Sequence, residues 1–328
     1  MKKSKKKSGL FSWLSRLIVV AGAVLFWTVN PVLIQSDAKS EIHVSKDLLK
    51  SHVQQITKEP YRSVKNQKRQ KEIAEYIFSQ WKEQGLDPRY QSFHVQGQEN
   101  SNVIVRYKSK SQKRPLVVIG AHYDVCFDMP GADDNASGVA GLLELTRQFA
   151  ERKPELDYDI EFVAFANEEP PYYATEWMGS YQHAKSLFEN NIDVGLMISL
   201  EMIGYFSDVP NSQNFPIPMM NSIYPDRGNF ISLIGNNSHW TLTRKVKAIM
   251  EATSEVPVYS MNAMERIDGV DWSDHRSYWK FDYPALMITD TSFYRNQNYH
   301  TPQDTWDKLD YVRMAEVVRG VYGVATHL

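Results

Sequence analysis

Six short runs that are apolar almost throughout, interleaved with amphipathic stretches, constrain this chain more than any other feature of its sequence. The runs are NVIVRY from Asn102, PLVVIGAHY from Pro115, DIEFVAFA from Asp159, DVGLMISL from Asp193, FISLIG from Phe230 and ALMIT from Ala285. A strand with one wet face alternates apolar and polar residues, so runs without alternation predict strands buried on both faces. Between them lie helical patterns. Ser137 to Arg152 places Val139, Leu142, Leu143 and Phe149 on one face, with Ser137 as the expected cap. Further helices are expected from Gly179 to Asn191, from Trp240 to Thr253 and from about Asp310 to Val324. Two more precede the first run, Lys46 to Thr57 and Asn66 to Gln84, the second with Ile73, Ile77 and Trp81 at helical spacing. The whole pattern predicts a three-layer α/β/α architecture around a mostly parallel, twisted central sheet.

At 328 residues and 42% hydrophobic content the chain can bury a large core. Its first 16 residues hold five Lys and one Arg without an acid, which leaves 31 of the 37 basic residues to set against 39 acids in the remainder. An acidic body argues against nucleic acid as the partner. Leu17 to Ile34 is apolar apart from Thr28, Asn30 and Pro31, long enough for a membrane span, which needs roughly 17 residues or more. The basic flank would keep the N-terminus in the cytoplasm and export the rest to a periplasmic or extracellular compartment. We therefore expect a basic tip over 1–9, one membrane helix over 10–34, a linker over 35–44 and a single catalytic domain over 45–328. A signal peptide cleaved after Ala38, giving a secreted protein, is the competing reading of the same segment. Cys126 is the only cysteine, so there is no internal disulfide and no thiolate cage, and a metal would be held by His and carboxylates.

In parallel sheets the chemistry collects at the carboxyl ends of the strands. His122 and Asp124 follow LVVIG, Glu168 and Glu169 follow IEFVAFA, Glu201 follows VGLMISL, and His300 lies in the connection after ALMITD. Singly, each has a structural explanation. His122 can be a satisfied strand-end histidine, Asp133 and Asp134 can serve the start of the next helix, paired glutamates are commonly solvated, and a loop histidine is commonly exposed. Glu201 is harder to dismiss, since a charge closing an apolar strand must find a partner. All of these explanations holding at once along one sheet edge is improbable.

Imidazole with carboxylates and no thiolate suits zinc or a similar divalent ion. Two His and three carboxylates exceed the needs of one tetrahedral ion and point to two ions sharing a carboxylate, about 3.5 to 4 Å apart. A water shared by two such ions loses a proton near neutral pH, and the remaining glutamate of the 168/169 pair can act as general base.

Through GAHYD, GADDNASG, FANEE, LEMIGY, SDH and YHTPQDTWDKLD, the sequence resembles the co-catalytic two-zinc aminopeptidases, a family that also includes glutamate carboxypeptidases, glutaminyl cyclases and the non-catalytic transferrin receptor. The resemblance implies the zinc-exopeptidase fold and two Zn2+ per chain. It implies His122 and Glu201 on one zinc, Glu169 and His300 on the other, and Asp133 bridging them. Glu168 would be the general base, Asp124 the carboxylate orienting His122, Asp134 a holder of the loop, and Tyr299 a donor to the tetrahedral oxyanion. The family's strained peptide bond would fall between Asp133 and Asp134. Two features depart from the family pattern. Glu201 stands where Asp is common, and PPYYATEWM lengthens the link from the glutamate pair to Gly179 and Ser180. Cys126 is read as a small loop residue, and the NAS sequon at Asn135 as accidental.

The expected function is a zinc-dependent aminopeptidase acting on peptides with a free N-terminus. A glutaminyl cyclase is the alternative that works with one ion. A carboxypeptidase would need a cation for the substrate carboxylate, for which Arg266, Arg276 and Arg295 are available. A non-catalytic ectodomain would have lost ligands or base.

Overall fold

The structure, a computed structural model, describes residues 13, 16, 19, 20, 22–110 and 115–328. Its strands are β1 (Arg89–Val95), β2 (Gln98–Tyr107), β3 (Leu116–His122), β4 (Ile160–Phe165), β5 (Val194–Glu201), β6 (Ile231–Asn236), β7 (Val258–Ala263) and β8 (Ala285–Thr289). They form one sheet in the order β1-β2-β4-β3-β5-β8-β6-β7. The central β4, β3, β5 and β8 run parallel. β2 and β6 are antiparallel to their inner neighbours β4 and β8. β3 is flanked by β4 on one side and β5 on the other, so the chain leaves it in both directions, and a crevice opens at such a switch point.

The helices are α1 (Lys46–Ile56), α2 (Gln67–Glu83), α3 (Gly138–Arg152), α4 (Gly179–Glu189), α5 (Trp240–Thr253), α6 (His275–Trp279) and α7 (Tyr311–His327). Strand side chains alternate between two cores, which is why every residue of β3, β4 and β8 is buried. Val117, Ile119, Phe162 and Ile198 pack with residues of α1, α2, α3, α5 and α7. Leu116, Val118, Val163 and Met197 pack with residues of α4 and α6. The three-layer, mostly parallel arrangement expected from the apolar runs is the one observed. Ser137 does not cap α3: its Oγ donates to the Asp133 carbonyl, and Asn135 Oδ1 instead accepts from Gly138 N at 3.1 Å. Asn135 is fully buried, as an accidental sequon would be.

Part of the expected membrane helix over 10–34, namely residues 10–12, 14, 15, 17, 18 and 21, lies outside the described residues, as does the tip over 1–9. Residues 22–29 are helical, and among the described residues no helix is long and apolar enough to cross a membrane.

Candidate metal centre

The registers bring the strand ends level. His122 of β3 stands beside Phe165 of β4, and Glu201 of β5 beside Thr289 of β8. The turn after β4 then carries Glu168 and Glu169 over the same edge, and Asp124 fixes that turn by accepting from Glu168 N and Glu169 N, each at 3.0 Å. Asp124 Oδ1 also lies 3.4 Å from His122 Nδ1, so one buried carboxylate stands beside the imidazole and holds the turn of the glutamate pair.

The loop from His122 must return to the sheet edge, and a buried cation holds it there. Arg62 donates to the carbonyls of Tyr123 at 2.8 Å, Pro130 at 2.5 Å and Gly131 at 2.7 Å, bracing the loop at both ends. Gly131 has φ of 59°, and a Cβ there would sit 2.3 Å from the Asp134 carbonyl, so this corner requires glycine. Asp304 then accepts from Asp133 N at 3.0 Å and from Asp134 N at 3.1 Å.

Asp134, not Asp133, faces both histidines. Its Oδ1 lies 3.3 Å from His122 Nε2 and its Oδ2 3.0 Å from His300 Nε2, one oxygen toward each ring. Asp133 points the other way, accepting from Gly204 N at 3.0 Å and from Asn296 Nδ2 at 2.8 Å. The structure thus places Asp134 where the bridging carboxylate was expected, and turns Asp133, the residue expected there, into the loop. The physical reason is local. Asp304 pins both backbone N–H groups to the same carboxylate, and the chain turns between the two residues, so the side chains diverge. The cis peptide bond likewise lies one residue later than expected, between Asp134 and Asn135.

Two donor sets result. One is His122 Nε2, Asp134 Oδ1 and Glu201 Oε2, the last 3.3 Å from the His122 nitrogen. The other is His300 Nε2, Asp134 Oδ2 and Glu169 Oε2, the last 3.3 Å from the His300 nitrogen. The longer side chain of Glu201 is accommodated by Ser273, whose Oγ donates to its Oε2 at 2.7 Å. Both ring nitrogens of His122 and Nε2 of His300 are buried and make no hydrogen bond of acceptable geometry. Orphaned imidazole nitrogens converging with carboxylate oxygens fit divalent ions, whereas buried polar groups in general are satisfied within the protein.

Electrostatics agree. Burial alone would lower the His122 pKa, yet Glu201, Asp124 and Asp134 outweigh it and hold it well above the usual value. Burial pushes Glu169 up to about 7, with Asp134 adding to the shift and His300 opposing it. Glu168 is pushed well above the carboxylate range by burial, which the charges of Glu169, Glu201 and Asp274 reinforce and His122 opposes. So many acids crowded in one buried place stay ionised only beside cations and otherwise hold protons. A Glu168 oxygen also groups with donor atoms of His122 and Glu169, but at 4.0 Å Glu168 Oε2 stands farther from His122 Nε2 than Asp134 and Glu201, each at 3.3 Å.

A cavity of about 420 Å³ opens from this edge. Asp134, Glu168, Glu169, Glu201 and His300 form its polar end, and Phe215, Met220, Tyr224, Ile234, Met261 and Met287 its apolar end. Tyr299 lines it with its ring stacked on His300 at 3.7 Å between centroids, and Tyr173 of the lengthened PPYYATEWM link lines it too. None of the arginines considered for a carboxylate pocket lines it. Arg276 pairs with Asp271 at 3.1 Å, Arg295 is buried against Gln213, and Arg266 is exposed. Sequence reasoning missed Arg62, Asn296 and Asp304. Asp304 was within reach, four positions after His300 in a motif already singled out, while nothing in YRSVKNQ marks Arg62.

The model of peptidase family M28 matches residues 102–325. The uncharacterized protein YfbL of Escherichia coli K12 is 41% identical over 319 residues, spanning 93% of this chain and 97% of that one. A probable aminopeptidase of Saccharomyces cerevisiae is 24% identical over 239 residues, 69% of this chain and 57% of that one. This chain thus spans little more than half of the yeast protein's length. Among solved structures, a zinc aminopeptidase from Bacillus subtilis superposes with a TM-score of 0.66 at 15% identity, covering 87% of this chain and 96% of that one, which speaks to the fold. With the family model covering most of the chain and its strand-end acids and histidines gathered at one edge, the protein belongs to peptidase family M28.

Proposed function

We propose that the protein is a zinc-dependent aminopeptidase that removes the N-terminal residue from peptides, with one zinc held by His122, Asp134 and Glu201 and a second by Asp134, Glu169 and His300. The observation that carries this reading is Asp134, whose two oxygens face the orphaned Nε2 atoms of two different histidines. Bound zinc supplies Lewis acidity toward the scissile carbonyl and brings the pKa of water down to about 7.

The remaining chemistry belongs to the chain. Glu168 takes a proton from the attacking water and returns it to the departing amine as the C–N bond breaks. Burial raises its pKa above the usual carboxylate range, which makes it a stronger proton acceptor than an exposed carboxylate. Tyr299, beside His300 at the cavity wall, donates a hydrogen bond to the oxygen that gains charge. The apolar end of the cavity takes the side chain of the first residue, and its size suits a large apolar one such as Leu, Met or Phe. No Lys or Arg lines the cavity among the described residues, which disfavours a carboxypeptidase, while the acid-rich end suits a free amine.

Zinc-loaded full-length protein should cleave Leu, Met and Phe arylamides with kcat/KM at least about tenfold above Asp or Lys arylamides, the scale of discrimination a hydrophobic pocket provides. N-acetylated substrates should resist. Equal cleavage of acetylated substrates, or release of C-terminal residues, would contradict the assignment, and cyclisation of N-terminal Gln would favour the cyclase.

We further propose that the basic tip and the apolar stretch over 10–34 tether the catalytic domain to the outer face of a membrane, a reading supported by charge and hydropathy of the sequence. Recovery of the uncleaved chain in the soluble cytoplasmic fraction would refute it.

A further inference from the structure

Cys126, the sole cysteine, sits where an ordinary loop residue was expected, yet its thiol is part of the site. It is 1% exposed, and its Sγ belongs with a Glu169 oxygen and a His300 nitrogen to a group of donor atoms all within 4.8 Å of one another. The backbone around it is held on every side. Cys126 N donates to Glu169 Oε1 at 2.9 Å, which turns Glu169 Oε2 toward His300. Val125 forms a parallel bridge with Ser63, and the neighbouring Arg62 grips the loop before and after the cysteine. His300 supplies the remaining nitrogen of the group, and its Nε2 is buried without a hydrogen bond.

We propose that Cys126 is a thiolate ligand of the zinc held by Glu169, His300 and Asp134. The inference rests on the metallopeptidase reading of the site and adds a donor to it. As the S–Zn bond forms the thiol proton leaves to solvent, so binding at this site releases one proton more than histidine and carboxylates alone would. The two halves of the centre then differ in kind. The His122 half has three protein donors and the His300 half four, and a water shared by both ions would complete each. A sulfur donor also makes the His300 half softer, selecting zinc over manganese or magnesium more strongly than carboxylate and imidazole alone would.

X-ray absorption at the zinc edge of the full-length protein, loaded with two equivalents of zinc, tests this without reference to activity. A sulfur scatterer at about 2.3 Å, about one for every two zinc ions, is expected. Cys126→Ser should abolish it and weaken retention of one of the two ions by at least about tenfold. If the variant does not fold, the wild-type spectrum decides alone. Two bound zinc ions with only nitrogen and oxygen neighbours would overturn the role of Cys126 and leave the metallopeptidase reading standing. A folded wild-type chain that retains no zinc would overturn both.

Discussion

Adjacent residues of the same type end in opposite chemistry at Asp133 and Asp134. Asp134 offers one oxygen to each histidine, while Asp133 is spent on Gly204 N and Asn296 Nδ2. Asp134→Asn should therefore lose zinc, weakening retention by at least about tenfold. Asp133→Asn should keep zinc but turn an amide nitrogen toward a donor, lowering stability by about 1 to 3 kcal/mol. Metal analysis and thermal melts on both variants separate the two roles, and zinc loss confined to the Asp133 variant would reverse the assignment. The sequence could locate the bridging carboxylate only to this pair. What divides them is backbone direction, set by Arg62, Asp304 and Asn296, whose partners lie as many as 171 positions away. His122, Glu168, Glu169, Glu201 and His300 were legible because each closes or follows an apolar strand, where a charged or polar residue needs a reason.

At the level of elements, the apolar runs and helical periods announced β2, β3, β4, β5, β6 and β8 together with every helix from α1 to α7 except α6. β1 was not legible because it is an edge strand in which only Phe93 and Val95 are buried, leaving little pattern. β7, VYSMNA, buries polar residues and lends Ser260 and Met261 to the cavity wall, so it lacks an apolar run. α6 has five residues, too few to show a period. Beneath the sheet, Glu161 of β4 meets His183 Nε2 of α4 at 3.1 Å, and His183 Nδ1 meets the Tyr278 hydroxyl of α6 at 2.6 Å, tying strand to both helices. Burial would raise the Glu161 pKa, but His183, Arg89 and Arg106 outweigh it and bring it from 4.5 down to about 2. A depressed carboxylate stabilises the fold above its unfolded pKa, so this contribution, about 3 kcal/mol, is present above pH 4.5 and is lost as pH falls toward 2. Urea melts across that window should show a shallower decline in Glu161→Gln than in wild type. Parallel declines would remove Glu161 from the cause.

For the molecule as a whole, the sheet topology does the assembling. β3 is the point from which connections depart both ways, and the crevice there receives side chains from the ends of β3, β4 and β5 and from the loops that follow β3, β4 and β8. An apolar cavity adjoins the buried cluster of acids and histidines, so in the proposed function substrate binding and metal binding meet in one place. In the proposed centre Glu168 is the acid expected to separate chemistry from assembly, because it stands farther from His122 Nε2 than Asp134 or Glu201. The most direct measurement is zinc content and Leu-arylamide turnover determined on the same samples of wild type and Glu168→Gln. Both proteins should hold about two zinc ions per chain. Turnover of the variant should fall by about 10² to 10⁴-fold. A variant that keeps its zinc and full turnover, or a zinc-loaded wild type with no turnover, would contradict the assignment of a Glu168-driven metallo-aminopeptidase.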